Sequence, residues 1–497
     1  MQSGTNLNGR DLARTGIPGL DDVLAGGLTR NRTYLVQGDP GVGKTTLGLQ
    51  FILAGEALGE TGLYLTLSET KEELQAVADS HGWSLDEINV FEYSAHDRLA
   101  ADEESTLFHP SEIELGQAVQ ALIAEVERIK PQRVVIDSLS EIRLLAQNPL
   151  RYRRQILGLK HYFSGRDVTV LLLDDKNLLQ GDMQLMTLAH GVILLEQLAP
   201  AYGAERRRLR VSKFRGVRYR GGFHDFNIRT GGLIVYPRLV AAEHRHVSAL
   251  QALSSGIPAV DDLLGGGIHR GTSTLIIGPA GGGKSALATH YAVSAAQRGE
   301  NVATFIFDES LSTLFARSES LNLDLRKHVD SGRISIQQID PAEVPPGEFV
   351  HLVREAVEQR EVSMLIIDSL NGYLNAMPEE RFLTIHMHEL LTYLGQKGVA
   401  TILVVAQQGL IGSNMQSPVD VSYLADCVIL LRYFEHGGEL RKAISVMKKR
   451  SGYHEKAIRP LAFTNDRIEV GAPLTDFHGI LSGLPVLDAE SRDASSR

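Results

Sequence analysis

Short apolar runs alternate with longer stretches of helical periodicity along this chain. Thr33–Gln37 is a β-prone run that feeds a glycine-rich loop, and Lys44–Ala54 then repeats its apolar residues at helical spacing. Leu63–Leu67 reads as the next strand and Lys71–Ser80 as the next helix, with Arg133–Ile136 and Val168–Leu173 as further buried strands. The same order returns later: Thr274–Ile277, a helix from Lys284, then Val302–Phe307, Met364–Ile367 and Thr401–Val405. The strands are unbroken apolar runs rather than alternating ones, as expected where both faces of a sheet are covered. Strands alternating with helices predict an α/β fold with a mostly parallel sheet and helices on both faces.

The pattern recurs because the chain is duplicated. TGIPGLDDVLAGGL at 15–28 is answered by SGIPAVDDLLGGGI at 255–268, an offset of 240. The glycine loops GDPGVGKT and GPAGGGKS place Lys44 and Lys284 at that same offset. A period this long is a repeated domain, not a solenoid unit. Two tandem domains are expected, 1–245 and 246–487. The small, polar residues 488–497 read as a disordered tail.

Composition narrows the class. The 497 residues exceed one compact core, and 43% hydrophobic with 22% charged residues is ordinary for a globular protein. No apolar run approaches the roughly 20 residues needed to cross a bilayer, so no membrane association is expected. The N-terminal residues lack the apolar stretch of a secretory leader, and Cys427 is the single cysteine, which points to the cytoplasm.

G-x-x-x-x-G-K-[ST] occurs twice, each time between a strand and a helix. In the first loop (Gly38, Asp39, Pro40, Gly41, Val42, Gly43, Lys44, Thr45, Thr46) the glycines free backbone N–H groups for phosphate oxygens. The following helix presents its positive end to the same anion. Lys44 is expected to reach the β- and γ-phosphates of ATP, and Thr45 to hold Mg²⁺. Gly278, Pro279, Ala280, Gly281, Gly282, Gly283, Lys284, Ser285 and Ala286 repeat these roles, with Ser285 as the metal ligand. Asp137 in VVIDSLS and Asp368 in LIIDSLN end strands where a carboxylate would complete the Mg²⁺ shell.

The G-[IL]-P-x-[LV]-D-x-[LV] lead-in, the P-loop and the IDSL strand, present in both halves, resemble the KaiC branch of the RecA-type ATPases. The resemblance implies two RecA-like P-loop domains. It also implies a pair of adjacent glutamates after the P-loop helix, one of which polarises the attacking water or hydroxyl. Here the pairs are Ser68-Glu69 and Asp308-Glu309. Glu69 and Glu309 are therefore the expected catalytic carboxylates, with Asp308 a shorter substitute for the first glutamate. Helix capping is the competing role for these acids. Because Ser68 removes one carboxylate, the second site is expected to be the better proton acceptor.

The family also implies a K-x-R pair reaching a neighbour's nucleotide, matched by Lys213 and Arg215 and by Lys448 and Arg450. The second copy departs in having Ser451-Gly452 where glycine usually follows the arginine directly. Such cations complete a site only in an oligomer, and the resemblance implies a homohexameric ring and a regulatory protein partner. ERRRLRVSKFRGVRYR could also line a nucleic-acid groove. The less basic second copy and the net charge of −10 favour an interface strand instead.

Family members carry a Ser-Thr phosphoacceptor pair beside the second nucleotide. Aligning VDVSYLADCVILLRY retains Ser422 and replaces the threonine with Tyr423, which leaves Ser422 as the candidate phosphorylation site for an autokinase. Gln407 and Gln408 in the second copy, and Asp174 and Asp175 in the first, follow a strand at the position where RecA-type proteins place a phosphate sensor. His386 and His388 diverge by about 200° on a helix and do not converge on one metal. The leading reading is an ATP hydrolase with serine autokinase capacity, a signalling or circadian-type timing module. A DNA-dependent motor and a nucleotide-gated scaffold are the alternatives.

Overall fold

The computed structural model describes residues 11–93, 110–176, 182–200, 203–244, 251–375, 383–407, 423–464, 467–482 and 486–487. The chain divides into two compact units, 1–238 and 239–497. This division falls ahead of the one expected at 245/246. Leu239 and Ala241 explain the difference: both are buried in the core of the second unit, and the Ala241 amide donates to Glu389 Oε2 at 3.0 Å.

Each unit is built on a nine-stranded sheet. In the first unit the strands are β1 (Thr33–Gly38), β2 (Gly62–Thr66), β3 (Asn89–Glu92), β4 (Arg133–Asp137), β5 (Thr169–Asp175), β6 (Gly191–Leu198), β7 (Arg206–Phe214), β8 (His224–Arg229) and β9 (Gly232–Tyr236). Their spatial order is β3-β2-β4-β5-β1-β6-β7-β8-β9. The second unit has β10 (Ser273–Gly278), β11 (Val302–Ile306), β12 (Ile334–Gln338), β13 (Met364–Asp368), β14 (Ala400–Ala406), β15 (Cys427–His436), β16 (Glu439–Lys449), β17 (Arg459–Phe463) and β18 (Ile468–Val470). Its order, β12-β11-β13-β14-β10-β15-β16-β17-β18, repeats the first. β1 to β6 of the first sheet and β10 to β15 of the second pair with one another in parallel, and β7 to β9 and β16 to β18 are added to them by antiparallel pairings.

The parallel strands are apolar throughout because each is buried on both faces. In β10, Ile276 packs into one core cluster while Leu275 and Ile277 pack into the other. In β1, Leu35 and its neighbours Tyr34 and Val36 divide the same way. The P-loop strands β1 and β10 lie centrally, so helices Lys44–Glu56 and Lys284–Gln297 are packed under the sheets and their N-termini are fixed at the strands' carboxyl ends.

The lead-in motif is a local clasp. Asp21 Oδ1 accepts from the Thr15 amide at 2.9 Å and hydroxyl at 2.8 Å, and Asp261 Oδ1 accepts from the Ser255 amide at 2.8 Å. Among the described residues no helix is long and apolar enough to cross a membrane.

Candidate nucleotide sites

Each P-loop turns where its glycines permit it. Gly41 and Gly43 have φ of 77° and 104°, and Gly281 and Gly283 have 70° and 103°. Gly43 and Gly283 are also tightly covered. A Cβ at Gly43 would lie 2.4 Å from Ile228 Cδ1, and one at Gly283 would lie 2.1 Å from Phe463 Cζ. A side chain at either position would have to displace that neighbour and would be strained by the positive φ.

In the first domain the loop lysine is folded back over the loop. Lys44 Nζ donates to the carbonyls of Gly38 at 3.0 Å and Asp39 at 2.9 Å, and pairs with Asp175 Oδ1 at 2.8 Å. Thr45 Oγ1 lies 2.9 Å from Asp137 Oδ2 and 3.3 Å from Glu69 Oε1. Tyr64 donates its hydroxyl to Asp137 Oδ2 at 2.6 Å. Burial raises the proton affinity of Asp137 against the help of these donors. Glu69 is raised too, first by desolvation and then by the charge of Asp137. Glu69 Oε2 is buried, with no hydrogen-bond partner among the described residues.

The oxygens of Thr45 and Asp137 thus converge beside a phosphate loop, a hard donor set that suits Mg²⁺. The buried Glu69 carboxylate also meets the charge of Asp137. Glu69 does not cap the next helix. Thr70 does, accepting from the Glu73 amide at 3.2 Å while Glu73 Oε2 accepts from the Thr70 amide at 2.8 Å. Ser310 caps the equivalent helix, accepting from the Thr313 amide at 3.2 Å. The capping role considered for Glu69 and Glu309 is thereby set aside.

The second site has the same parts with different neighbours. Lys284 Nζ donates to the Pro279 carbonyl at 2.7 Å, and burial lowers its proton affinity although Asp368 opposes this. Among the described residues no carboxylate lies within ion-pair distance of Lys284. Asp368 is raised by burial, while a hydrogen bond from Ser285 acts to lower it. Asp308 accepts a hydrogen bond from Ser369 Oγ, and Glu309 forms an ion pair with Arg317. The two acids expected to make the second site the better proton acceptor thus both have partners in this structure, Asp308 in Ser369 and Glu309 in Arg317. The Asp137–Ser138 and Asp368–Ser369 peptides are both cis.

Sheet register corrects one sequence alignment. Gly38 is level with Asp175 and Gly278 with Ala406, so the counterpart of Asp175 is Ala406 and that of Lys176 is Gln407. Gln408 and the candidate acceptor Ser422 lie outside the described residues. The sequence reading missed Asp175 as a partner of Lys44, and it missed Arg317 and Tyr64 altogether. Arg317 was detectable, because the offset of 240 sets it against Val77.

The K-x-R cations lie at the far ends of their sheets. Lys213 is level with Val192 near the start of β6, whereas the P-loop end of β1 is level with Leu195. Lys213 Nζ donates to the carbonyls of Met186 at 2.6 Å and Thr187 at 3.1 Å, and Arg215 donates to Thr187 at 2.8 Å. Lys448 Nζ donates to Ala425 O at 2.7 Å, and Arg450 to Tyr423 O at 3.2 Å. Neither pair reaches the P-loop of its own domain. The neighbouring arginines are partly committed: Arg208 pairs with Glu196 at 2.9 Å and covers the Phe223 ring at 4.0 Å, and Arg207 pairs with Glu205 at 3.1 Å.

Comparison with known proteins agrees with this architecture. The family model described as "ATPase: KaiC" matches twice, over residues 13–240 and 253–475. Circadian clock oscillator protein KaiC of Parasynechococcus marenigrum is 25% identical over 95% of this chain and 92% of its own length. Circadian clock protein KaiC3 of Synechocystis is 24% identical over 97% of this chain and 96% of its own. KaiC2 of the same organism is 27% identical over 92% and 80%. With the family's domain matched in both halves and two P-loops carrying the same strand-end acids, the chain belongs to the KaiC family of ATPases.

Proposed function

We propose that this protein binds one Mg·ATP in each domain and hydrolyses ATP, with nucleotide state governing the shape of a ring and its affinity for a regulatory protein. The observation that carries this reading is the Thr45 hydroxyl, set between Asp137 and Glu69 at the mouth of a P-loop. Thr45 and Asp137, with Ser285 and Asp368 in the second site, would hold Mg²⁺. When bound, the ion neutralises charge on the transferring phosphoryl group. Lys44 leaves Asp175 for the β- and γ-phosphates. Glu69 orients the attacking water and accepts its proton as the new P–O bond forms and the β–γ bridge breaks, releasing ADP and phosphate.

Lys213 with Arg215, and Lys448 with Arg450, complete the sites of an adjacent subunit in a homohexamer, since neither pair reaches its own. The printed names of the relatives extend this reading to a circadian-type timing module. The committed arginines on β7 favour a subunit interface over a DNA groove. ATP hydrolysis measured with and without single-stranded DNA, in the parent and in Glu69→Gln, tests the proposal. Turnover that is independent of DNA and dependent on Glu69 supports it. DNA-stimulated turnover supports a motor, and no turnover supports a scaffold.

One observation favours serine phosphorylation as a second activity. Tyr423, next to Ser422, is exposed, and its carbonyl holds Arg450, the cation directed at a neighbour's nucleotide. A phosphopeptide map after incubation with Mg·ATP tests whether Ser422 is the acceptor.

A further inference from the structure

The two halves carry the same acid at the same strand end, but the acid has a different neighbour in each. Helices Lys71–Ser80 and Leu311–Ser320 start and stop at matching positions, and Glu69 and Glu309 precede them identically. At the seventh residue of the first helix, Val77 packs against the core. Its counterpart in the second is Arg317, which donates through Nη1 to Glu309 Oε1. The pair is mostly shielded, with side-chain exposures of 25% and 19%. Glu309 Oε2 and the Nε and Nη2 of Arg317 are buried, without partners among the described residues.

A shielded charge-assisted hydrogen bond is stronger than a neutral one and fixes its partner's orientation. In the first domain Glu69 directs Oε1 toward Thr45 at 3.3 Å. In the second, the corresponding oxygen is taken by Arg317. Asp308 offers no replacement while it accepts from Ser369. A general base must be within hydrogen-bond reach of the proton it removes, so geometry decides before basicity does.

We infer that Arg317 is a positioning residue that holds Glu309 back from the attacking oxygen, so that the second site keeps Mg·ATP with slow turnover. This rests on the reading of Glu309 as the acid of that site. The restraint is specific to this copy, because Val77 cannot impose it on Glu69.

The test isolates the second site with Lys44→Ala and compares turnover of bound ATP in that parent, in Arg317→Met, which keeps the apolar stem, and in Arg317→Val, the first-domain residue. Glu309→Gln is made alone and with Arg317→Met. Nucleotide retained after gel filtration identifies chains whose second site is still formed, and either Arg317 variant suffices if the other does not fold. The inference predicts a rise of about tenfold or more on losing the cation, part of the 10²–10⁴ that general-base help supplies. The rise should disappear in the Arg317→Met, Glu309→Gln double variant. Arg317→Lys keeps a charge at the position and should stay close to the parent. If the Arg317 variants bind nucleotide but do not accelerate, while Glu309→Gln slows the residual turnover, the restraint is overturned and the role of Glu309 stands. If Glu309→Gln changes nothing in either background, the role of Glu309 and the restraint both fail.

Discussion

Asp175 Oδ1 lies 2.8 Å from Lys44 Nζ, and the residue at the same register in the second domain, Ala406, offers Lys284 no such partner. A carboxylate therefore occupies, in the first domain, the cation that a triphosphate needs. Asp175 is also held by Ser140 Oγ at 3.1 Å, so it is placed and not merely nearby. ATP entering this site must break the pair and then face the released charge.

Asp175→Ala is accordingly expected to tighten nucleotide binding at the first site. Partly exposed ion pairs are worth up to about 1 kcal/mol, which is about fivefold in Kd. Titration with a fluorescent ATP analogue in a Lys284→Ala chain reads this site alone. Weaker binding instead would make Asp175 a ligand of the nucleotide complex.

Glu69→Gln should leave binding at the first site intact and lower its turnover by about 10²–10⁴-fold. Single-turnover hydrolysis with the Lys284→Ala chain measures the step. An unchanged rate would remove Glu69 from the chemistry and leave its partnerless buried oxygen without a function.

His224 supplies a pH test that is separate from the nucleotide. Its Nε2 donates to Arg220 O at 2.9 Å and its Nδ1 accepts from the Arg238 amide at 2.8 Å, so the ring is held neutral, and burial pushes its pKa down to about 4. The folded-state value lies below the unfolded one, so the unfolded chain takes the proton first. The stability this ring confers is present above about pH 6.5 and is lost as pH falls toward 4. Between pH 7.5 and 5 the first domain should lose about 2 kcal/mol from this group. Trp83, the single tryptophan, lies against the first domain's core and reports its unfolding in denaturant. Replacing His224 with Gln should flatten that pH dependence, and an unaltered slope would contradict it.

The positions of Lys213 and Arg215, remote from their own P-loop, predict dependence on assembly. Light scattering should find a hexamer in Mg·ATP that loosens when nucleotide is removed. Arg215→Ala and Lys44→Ala chains, each impaired at the first site, should recover turnover when mixed, because a ring then contains intact sites with intact neighbours. A monomer under saturating Mg·ATP would rule this out.

Much of the architecture was legible because it is written twice. The lead-in, the P-loop and the strand-end acids recur in both halves, and continuous apolar runs such as Leu35–Val36 and Leu275–Ile277 mark strands covered on both faces. The antiparallel strands β8, β17 and β18 escape a sequence reading because they are short, partly polar and bury few residues, whereas β9, GLIVY, is apolar and buried but only five residues long. The neighbours that tune each site were less visible still. Asp175 meets Lys44 only through the β1–β5 register, and Arg317 meets Glu309 only across two turns of helix. Gln407 and Gln408 do not match Asp174 and Asp175 because a strand's end is fixed by its ladder to the P-loop strand, which sets Asp175 level with Gly38 and Ala406 level with Gly278.

Two separate nucleotide sites on one chain can be counted as bound nucleotide. After gel filtration in Mg²⁺, the parent should carry two nucleotides per chain, and Lys44→Ala and Lys284→Ala should each carry one, since each removes the loop cation of a single site. A parent that carries one nucleotide, or either variant that still carries two, would contradict the account.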